Sequence, residues 1–331
     1  MVLRRRTLGT ILLAFLIWFL FHIIHLVLLR YTHKHRIRDY DFMIHYRTKD
    51  PNYTDCSSDG FRHPKWCQTE CWQGSEWKVP GAVAAPSCDE FNRKEVLLYT
   101  YSATYNFEER MEARKSYRYH FGNDNHLDAE VGHVFVIGYA PSHLKNTKDE
   151  LILQQEITYY QDILYLDFTD GYHQLGYKGL GVFRWAKNCG KKLKFLMKND
   201  DDIEDWFVQA PVLIDLAKNM NLTFQNNIFC MKMMYDINVH EKKEKSSWEV
   251  SFYDYPGYFF PMYCKGDHGT IIPAKVASTL LQASKFTKIF RIDDVYISGL
   301  LRHRACIGIK DMNTFSFMVN YMKYRTINIF L

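Results

Sequence analysis

Glycine and proline are scarce, 17 and 9 of 331 residues, which excludes a collagen-like chain. No internal repeat or low-complexity tract occurs. With 47% hydrophobic and 24% charged residues, the composition also excludes a coiled coil and a wholly disordered polymer. Excess charge is nearly missing: 42 Lys and Arg stand against 37 Asp and Glu, a net of +5. Arg4, Arg5, Arg6, Arg30, Lys34, Arg36 and Arg38 all fall in the first stretch of chain. The rest is close to neutral, which argues against nucleic acid as a partner. A second long apolar run is lacking too, and a polytopic membrane protein is excluded with it.

One such run is present. From Leu8 to Leu29 there is no Lys, Arg, Asp or Glu, and as a helix this segment spans roughly 33 Å, enough to cross a bilayer. A cleaved signal would end in small residues, whereas this run ends in Arg30, Tyr31, Thr32, His33 and Lys34. We expect a cytoplasmic tail at 1–7, a retained signal-anchor at 8–29 and a body beyond it. His22 and His25 read as tolerated histidines, since nothing else in the chain spans a membrane. Basic residues flank both ends, so charge alone does not orient the anchor. Cysteine does better: Cys56, Cys67, Cys71, Cys88, Cys189, Cys230, Cys264 and Cys306 all follow the anchor. An even count on one side of a membrane suits disulfides in an oxidising lumen. The sequons Asn52-Tyr53-Thr54 and Asn221-Leu222-Thr223 agree. Zinc requires close ligand pairs on both sides, and of the first four cysteines only Cys67 and Cys71 are so spaced. Disulfides are the expectation, with the pairing open.

Residues 30–91 are polar and broken by Pro51, Pro64, Pro80 and Pro86, the pattern of a stem stapled by disulfides. Beyond them apolar runs alternate with helical stretches: Val96 to Tyr101, Phe107 to Tyr119, Val131 to Gly138, Asp149 to Tyr160, Tyr177 to Asn188 and Lys194 to Lys198. Strands alternating with helices predict a layered α/β domain over 92–331.

Three constellations carry chemistry. Lys198-Asn199-Asp200-Asp201-Asp202 follows an apolar strand, the place where open α/β sheets put their ligands. An Asp-x-Asp sets two carboxylates on one side of an extended segment, able to share a hard divalent cation. The same acids also read as an N-cap for Trp206-Phe207-Val208. An EF-hand is excluded because Trp206 stands where that loop needs Gly. Asp293-Asp294 opens an apolar helix, and an acid beside another acid and apolar residues has the raised pKa of a general base; it also reads as a cap. The third runs from Tyr255-Pro256-Gly257 to Pro261-Met262-Tyr263-Cys264-Lys265-Gly266-Asp267-His268-Gly269, a ring-rich loop suited to offering aromatic faces and backbone donors to a sugar.

In this order the segments resemble the luminal β1,3-glycosyltransferases, the group of β1,3-galactosyltransferases and β1,3-N-acetylglucosaminyltransferases, over residues 93–305. Phe107 to Tyr117 is similar to the family's Arg-x-x-Ile-Arg-x-Thr-Trp helix. Asp162 to Lys178 resembles its Asp-Phe-x-Asp-x-Tyr block, with Gln174 and Gly176 in place of Asn and Thr. Lys198 to Asp202 matches Lys-x-Asp-Asp-Asp, the Tyr-Pro loop follows, and Asp293-Asp294-Val295-Tyr296 stands for Glu-Asp-Val-Tyr. Ser298 occupies the place of the family's Gly, with Gly299 one position later, and His303 is the one histidine after Asp294 where the family has a metal-ligating His near its end.

The resemblance implies a Rossmann-like, nucleotide-sugar-binding glycosyltransferase fold behind a single transmembrane helix, in a type II protein of the Golgi membrane. It implies a UDP-sugar donor, a glycan acceptor on protein or lipid, and Mn²⁺. On it, Asp294 is the catalytic base, Asp202 the metal ligand, Asp200 and Asp201 contacts to ribose or metal-bound water, and Arg114, Lys178 and Lys198 partners of nucleotide or carboxylate. The altered loop after Cys264 and the absent late His raise a second expectation, a catalytically impaired relative that binds glycans or assists a partner. Oligomeric state is left open.

Overall fold

The computed structural model describes residues 79–122, 130–142, 147–201, 206–219, 226–235, 259–266 and 269–312, with positions 53–54, 71–72, 237, 250 and 255. The predicted tail and anchor, most of the predicted stem, both sequon asparagines and Asp202 lie outside the described residues. Among those described, no helix is long and apolar enough to cross a membrane. The elements below belong to the unit that runs from Thr54 to Leu331.

From Ala82 onward the strands are, in chain order, β1 (Ala82–Ala84), β2 (Val96–Tyr101), β3 (Val131–Tyr139), β4 (Ile163–Thr169), β5 (Phe195–Asp200), β6 (Asn227–Cys230), β7 (Met233–Met234), β8 (Tyr263–Cys264), β9 (Thr270–Pro273) and β10 (Gly308–Asp311). The helices are α1 (Cys88–Phe91), α2 (Phe107–Phe121), α3 (Thr147–Tyr160), α4 (Leu175–Cys189), α5 (Trp206–Asn219) and α6 (Ala274–Ala283). Strands β7 and β8 pair with each other; the other eight form one sheet in the order β10-β6-β9-β5-β2-β3-β4-β1. The four central strands β5, β2, β3 and β4 are mutually parallel, while β9 and β1 are antiparallel to their neighbours. All six residues of β2 are buried, as a parallel strand covered on both faces requires, and for that reason it reads as an unbroken apolar run.

Side chains alternate across the sheet. Leu97, Tyr99, Tyr101, Leu164, Leu166 and Leu196 pack on the face covered by α4, α6 and the segment from Val295 to Leu301. Val96, Leu98, Phe195 and Met197 pack on the opposite face with α2 and α5, and Phe135, Ile137 and Ile163 pack there with Leu153 of α3. Each fully buried Val, Leu or Phe contributes roughly 1.5–3 kcal/mol relative to exposure. Helix α4 presses close on β2: a Cβ at Gly179 would lie 2.8 Å from the Tyr101 hydroxyl, so a side chain there would push the helix away. The result is a three-layer α/β domain with a parallel-rich central sheet.

Two findings revise the expected stem. Strand β1 lies inside the segment assigned to it, yet it pairs with β4 at the sheet edge. Cys88, grouped with the stem cysteines, bonds to Cys189 at the end of α4. That bridge closes a loop of 101 residues, for which chain entropy alone gives about 4–5 kcal/mol. Cys230 bonds to Cys264, Cys306 is also disulfide-bonded, and among the described residues no cysteine is free.

Candidate active site

Strand order reverses between β2 and β5. The chain leaves β2 for β3 and β4 on one side and returns to lay β5 on the other, and a crevice opens at the carboxyl ends of strands at such a switch point. Tyr101 and Asp200 face each other there in register. Antiparallel β9 begins at the same end, Thr270 opposite Lys198, and Gly266 is brought to it as well, its N–H on Asp294.

Lys198 points to the same side as Leu196 and Asp200, beneath the helical segment that starts at Asp293. Its Nζ lies 2.8 Å from Asp293 Oδ2, 3.2 Å from Asp294 Oδ1 and 3.5 Å from Asp200 Oδ1, and 4.8 Å from the centre of the Tyr101 ring. Burial works against its charge, but Asp200, Asp293 and Asp294 outweigh burial and hold Lys198 well above the ordinary lysine range. The side chains of Lys198 and Asp293 are 8% and 9% exposed, against 16% for Asp294 and 29% for Asp200, so solvent reaches the cluster through the last two.

Asp294 is the perturbed acid. Burial raises it, Lys198 opposes, Asp293 and Asp200 raise it further, the Gly266 N–H lowers it, and the balance pushes it up to about 7. The helix-cap reading fails for this residue: Asp294 makes no side-chain cap bond, and its Oδ2 instead accepts the Gly266 N–H at 2.7 Å. A Cβ at Gly266 would lie 2.4 and 2.7 Å from the two Asp294 oxygens and 2.7 Å from Lys198 Nζ. Only glycine lets the loop backbone come this close. The Cys230–Cys264 bridge fastens that loop to β6 two residues earlier. Burial and the Asp294 charge also push the Tyr263 hydroxyl up to about 12.

Of the residues singled out in the sequence, Lys198, Asp200 and Asp294 come together here. Asp201 joins at the rim, its Oδ2 accepting from Asn106 Nδ2 at 2.9 Å. Lys178 sits alongside, its Nζ 5.8 Å from the Tyr101 ring centre, donating to the Ser102 carbonyl at 2.6 Å and paired with Asp170 at 2.9 Å. It ties the end of β2 to the end of β4. Arg114 lies on the opposite face, bidentate to Asp162 at 2.7 Å, 2.6 Å from Glu156 and stacked 3.9 Å over Tyr160. Burial and its neighbour Arg302 push His303 down to about 4.

Three residues of this neighbourhood were not assigned their role from the sequence. Asn106 stands before α2 like an ordinary cap. Arg110, fully buried, donates to Glu156 and to the backbone of Ala103 and Thr104, pinning the loop after β2. Asp293 looked like a cap and is the closest carboxylate to Lys198.

Residues 112–313 match the family model described as Galactosyltransferase. Over 227 residues the chain is 30% identical to a lactosylceramide 1,3-N-acetyl-beta-D-glucosaminyltransferase of Rattus norvegicus, covering 67% of this chain and 57% of that one. Over 193 residues it is 29% identical to beta-1,3-galactosyltransferase 1 of Homo sapiens, covering 58% and 56%. It thus spans little more than half the length of these relatives. Among solved structures, a 4-diphosphocytidyl-2C-methyl-D-erythritol synthase from Anaerococcus prevotii aligns over 72% of this chain and 100% of its own at 11% identity and a TM-score of 0.36, too slight a likeness to carry an argument. On the family match, which takes in β3 to β10 and the whole Lys198 cluster, the chain belongs to the galactosyltransferase family.

Proposed function

We propose that the protein is an inverting hexosyltransferase that moves galactose or N-acetylglucosamine from a UDP-sugar to a glycan hydroxyl in β1,3 linkage. The observation that carries this reading is Asp294: a carboxylate at the sheet's switch point, reachable by solvent, held by Lys198 and the Gly266 amide and poised at about 7. A base tuned near the working pH is what proton removal from a hydroxyl needs. Asp294 takes the acceptor proton as that oxygen attacks the anomeric carbon, and the bond to UDP breaks on the opposite face. The attacking oxygen gains a carbon and loses its proton to Asp294, and UDP departs with the bonding electron pair. Lys198 stays as a fixed positive charge between the base and the donor side, so the proton's arrival does not need solvent to reorganise.

A divalent cation fits the donor side. Asp200 and Asp201 offer carboxylate oxygens at the end of β5, the hard donors that Mn²⁺ prefers, and Asp202 follows them directly. Among the described residues no group of three or more His, Cys, Asp or Glu is placed to hold an ion; Asp202, outside them, would join Asp200 and Asp201, with phosphate and water oxygens completing the shell. Bound there, the ion would neutralise charge growing on the diphosphate. Asn106 keeps one Asp201 oxygen fixed, orienting that carboxylate on the donor side. Residues 8–29 serve as the anchor of a type II protein, which places the body in the Golgi lumen.

The test is transfer by the purified full-length chain in detergent with Mn²⁺, with UDP-galactose and UDP-N-acetylglucosamine offered to lactose and followed by mass spectrometry. We expect product with one donor and a loss of roughly 10²–10⁴-fold in Asp294→Asn. No turnover of either donor, with retained glycan binding, would favour the impaired relative instead.

A further inference from the structure

Three side chains on one face of the helical segment that begins at Asp293 grip alternate residues of the loop lying against it. Asp294 Oδ2 accepts the Gly266 N–H at 2.7 Å, Ser298 Oγ accepts the Cys264 N–H at 2.8 Å, and Arg302 Nη2 donates to the Met262 carbonyl at 3.3 Å. Positions 294, 298 and 302 are four apart and share one helix face. Positions 266, 264 and 262 are two apart, the repeat of an extended strand. The two repeats run in opposite directions and meet at three successive steps.

Each step is also fixed from behind. The Ser298 hydroxyl donates to the Asp294 carbonyl at 2.7 Å, and Arg302 donates through Nε to the Ser298 carbonyl at 2.8 Å and through Nη1 to the Ile307 carbonyl at 2.9 Å. The backbone from Val295 to Leu301 is π-wound, a rare winding that occurs mostly as single-turn bulges inside α-helices and frequently at functional sites. Ser298 and Arg302 are 3% and 8% exposed, so these bonds are not in competition with bulk water.

Resting on the reading of Asp294 as the base, we propose that Ser298 and Arg302 are positioning residues of the transfer reaction: they hold the Met262–Gly266 backbone in register with the helix, and through Gly266 they fix the Asp294 carboxylate against the acceptor hydroxyl. The tolerance is small. The Gly266 backbone approaches so closely that even a Cβ would collide with both Asp294 oxygens and Lys198. Without the Ser298 hydroxyl, the Cys264 N–H loses its acceptor and the Asp294 carbonyl loses a donor, and of the three steps between loop and helix only the outer two remain, while the Cys230–Cys264 bridge and the β7–β8 pairing hold the loop's other side.

The experiment compares wild type, Ser298→Ala, Ser298→Thr, Arg302→Lys and Asp294→Asn as full-length chains in detergent, with Mn²⁺, lactose and whichever of UDP-galactose or UDP-N-acetylglucosamine turns over. Ser298→Ala and Arg302→Lys should lower kcat roughly 10- to 100-fold, as misplacement of a reacting group does. The donor KM should stay within about twofold of wild type, because the donor side at β5 is untouched. Ser298→Thr, which restores the hydroxyl, should recover most of kcat. A wild-type kcat in Ser298→Ala beside an inactive Asp294→Asn overturns the positioning role and leaves the base in place. An active Asp294→Asn removes the base and this inference with it. A loss in Ser298→Ala that Thr does not rescue, matched by a fall in melting temperature, assigns Ser298 to folding and overturns the proposal.

Discussion

Two buried ion clusters lie on opposite faces of the sheet, and their charge arithmetic differs. Between α2 and α3, Arg110 and Arg114 meet Glu156 and Asp162: Glu156 Oε1 receives both guanidinium groups, and its Oε2 receives Arg110 again. Two positive charges face two negative ones, and the Arg110 and Glu156 side chains are wholly buried. Around Lys198 one cation faces three carboxylates, Asp200, Asp293 and Asp294, two of which keep contact with solvent. Asp162 reaches solvent in the first cluster as well, at 22% exposure, so charge balance is what separates the two: a balanced cluster has nothing left to offer a ligand and holds helices together. An open cluster with an excess of acid must be completed by a proton, a cation or a substrate, and perturbed groups of that kind gather at functional sites.

The largest effect expected on either side is structural. Glu156→Ala leaves two guanidinium groups buried without their shared partner, which should cost about 3–5 kcal/mol of stability. A urea titration followed by circular dichroism measures it. The donor KM of whatever remains folded should be that of wild type. If the unfolding midpoint does not move, the balanced cluster is not what joins α2 to α3.

Breaking the open cluster should damage chemistry more than folding. Lys198→Met removes the one charge that draws the Asp294 pKa down while burial, Asp293 and Asp200 still push it up, so the acid limb of the kcat/KM profile should move to higher pH. At pH 7 activity should fall roughly 10- to 100-fold. Stability carries the same signature in wild type. The folded pKa of Asp294 is raised from 3.8 to about 7, so the folded state binds the extra proton and its contribution is complete below about pH 4. It is lost as pH rises through 7. Unfolding free energy should therefore decline across that window in wild type, and the decline should be shallower in Asp294→Asn. An unshifted acid limb in Lys198→Met would separate Lys198 from the base.

The two clusters were not equally legible in the sequence. Val96 to Tyr101 was expected as a strand and is one, because a strand buried on both faces writes itself as an apolar run. The edge strand β1 and the four-residue strands β6, β9 and β10 are too short to show a period, and pairing partners far along the chain make them strands. Lys198, Asp200 and Asp294 stood out as charges at the ends of apolar elements. Their assembly did not, since the Lys198–Asp294 bond joins residues 96 apart and the Gly266–Asp294 bond residues 28 apart. Arg114 looked from its motif like a ligand-binding cation, but its partners Glu156 and Asp162 lie 42 and 48 positions on, beyond any local pattern.

Asn106 offers the finest test of the contrast, because it sits between the clusters and resembles a structural residue. It occupies the N-cap position of α2 yet makes no side-chain cap bond; its amide goes to Asp201 instead. Replacing a capping Asn by Ala typically costs about 1 kcal/mol, and that cost is absent when no cap bond exists. Asn106→Ala should therefore leave the melting temperature nearly unchanged while freeing the Asp201 carboxylate at the donor side. One lost hydrogen bond to a partly exposed charged group corresponds to about a 3- to 10-fold weakening, read as the affinity for UDP in the presence of Mn²⁺ by titration calorimetry. Unchanged UDP affinity together with a lower melting temperature would move Asn106 to the structural side, and the open cluster would then end at Asp200.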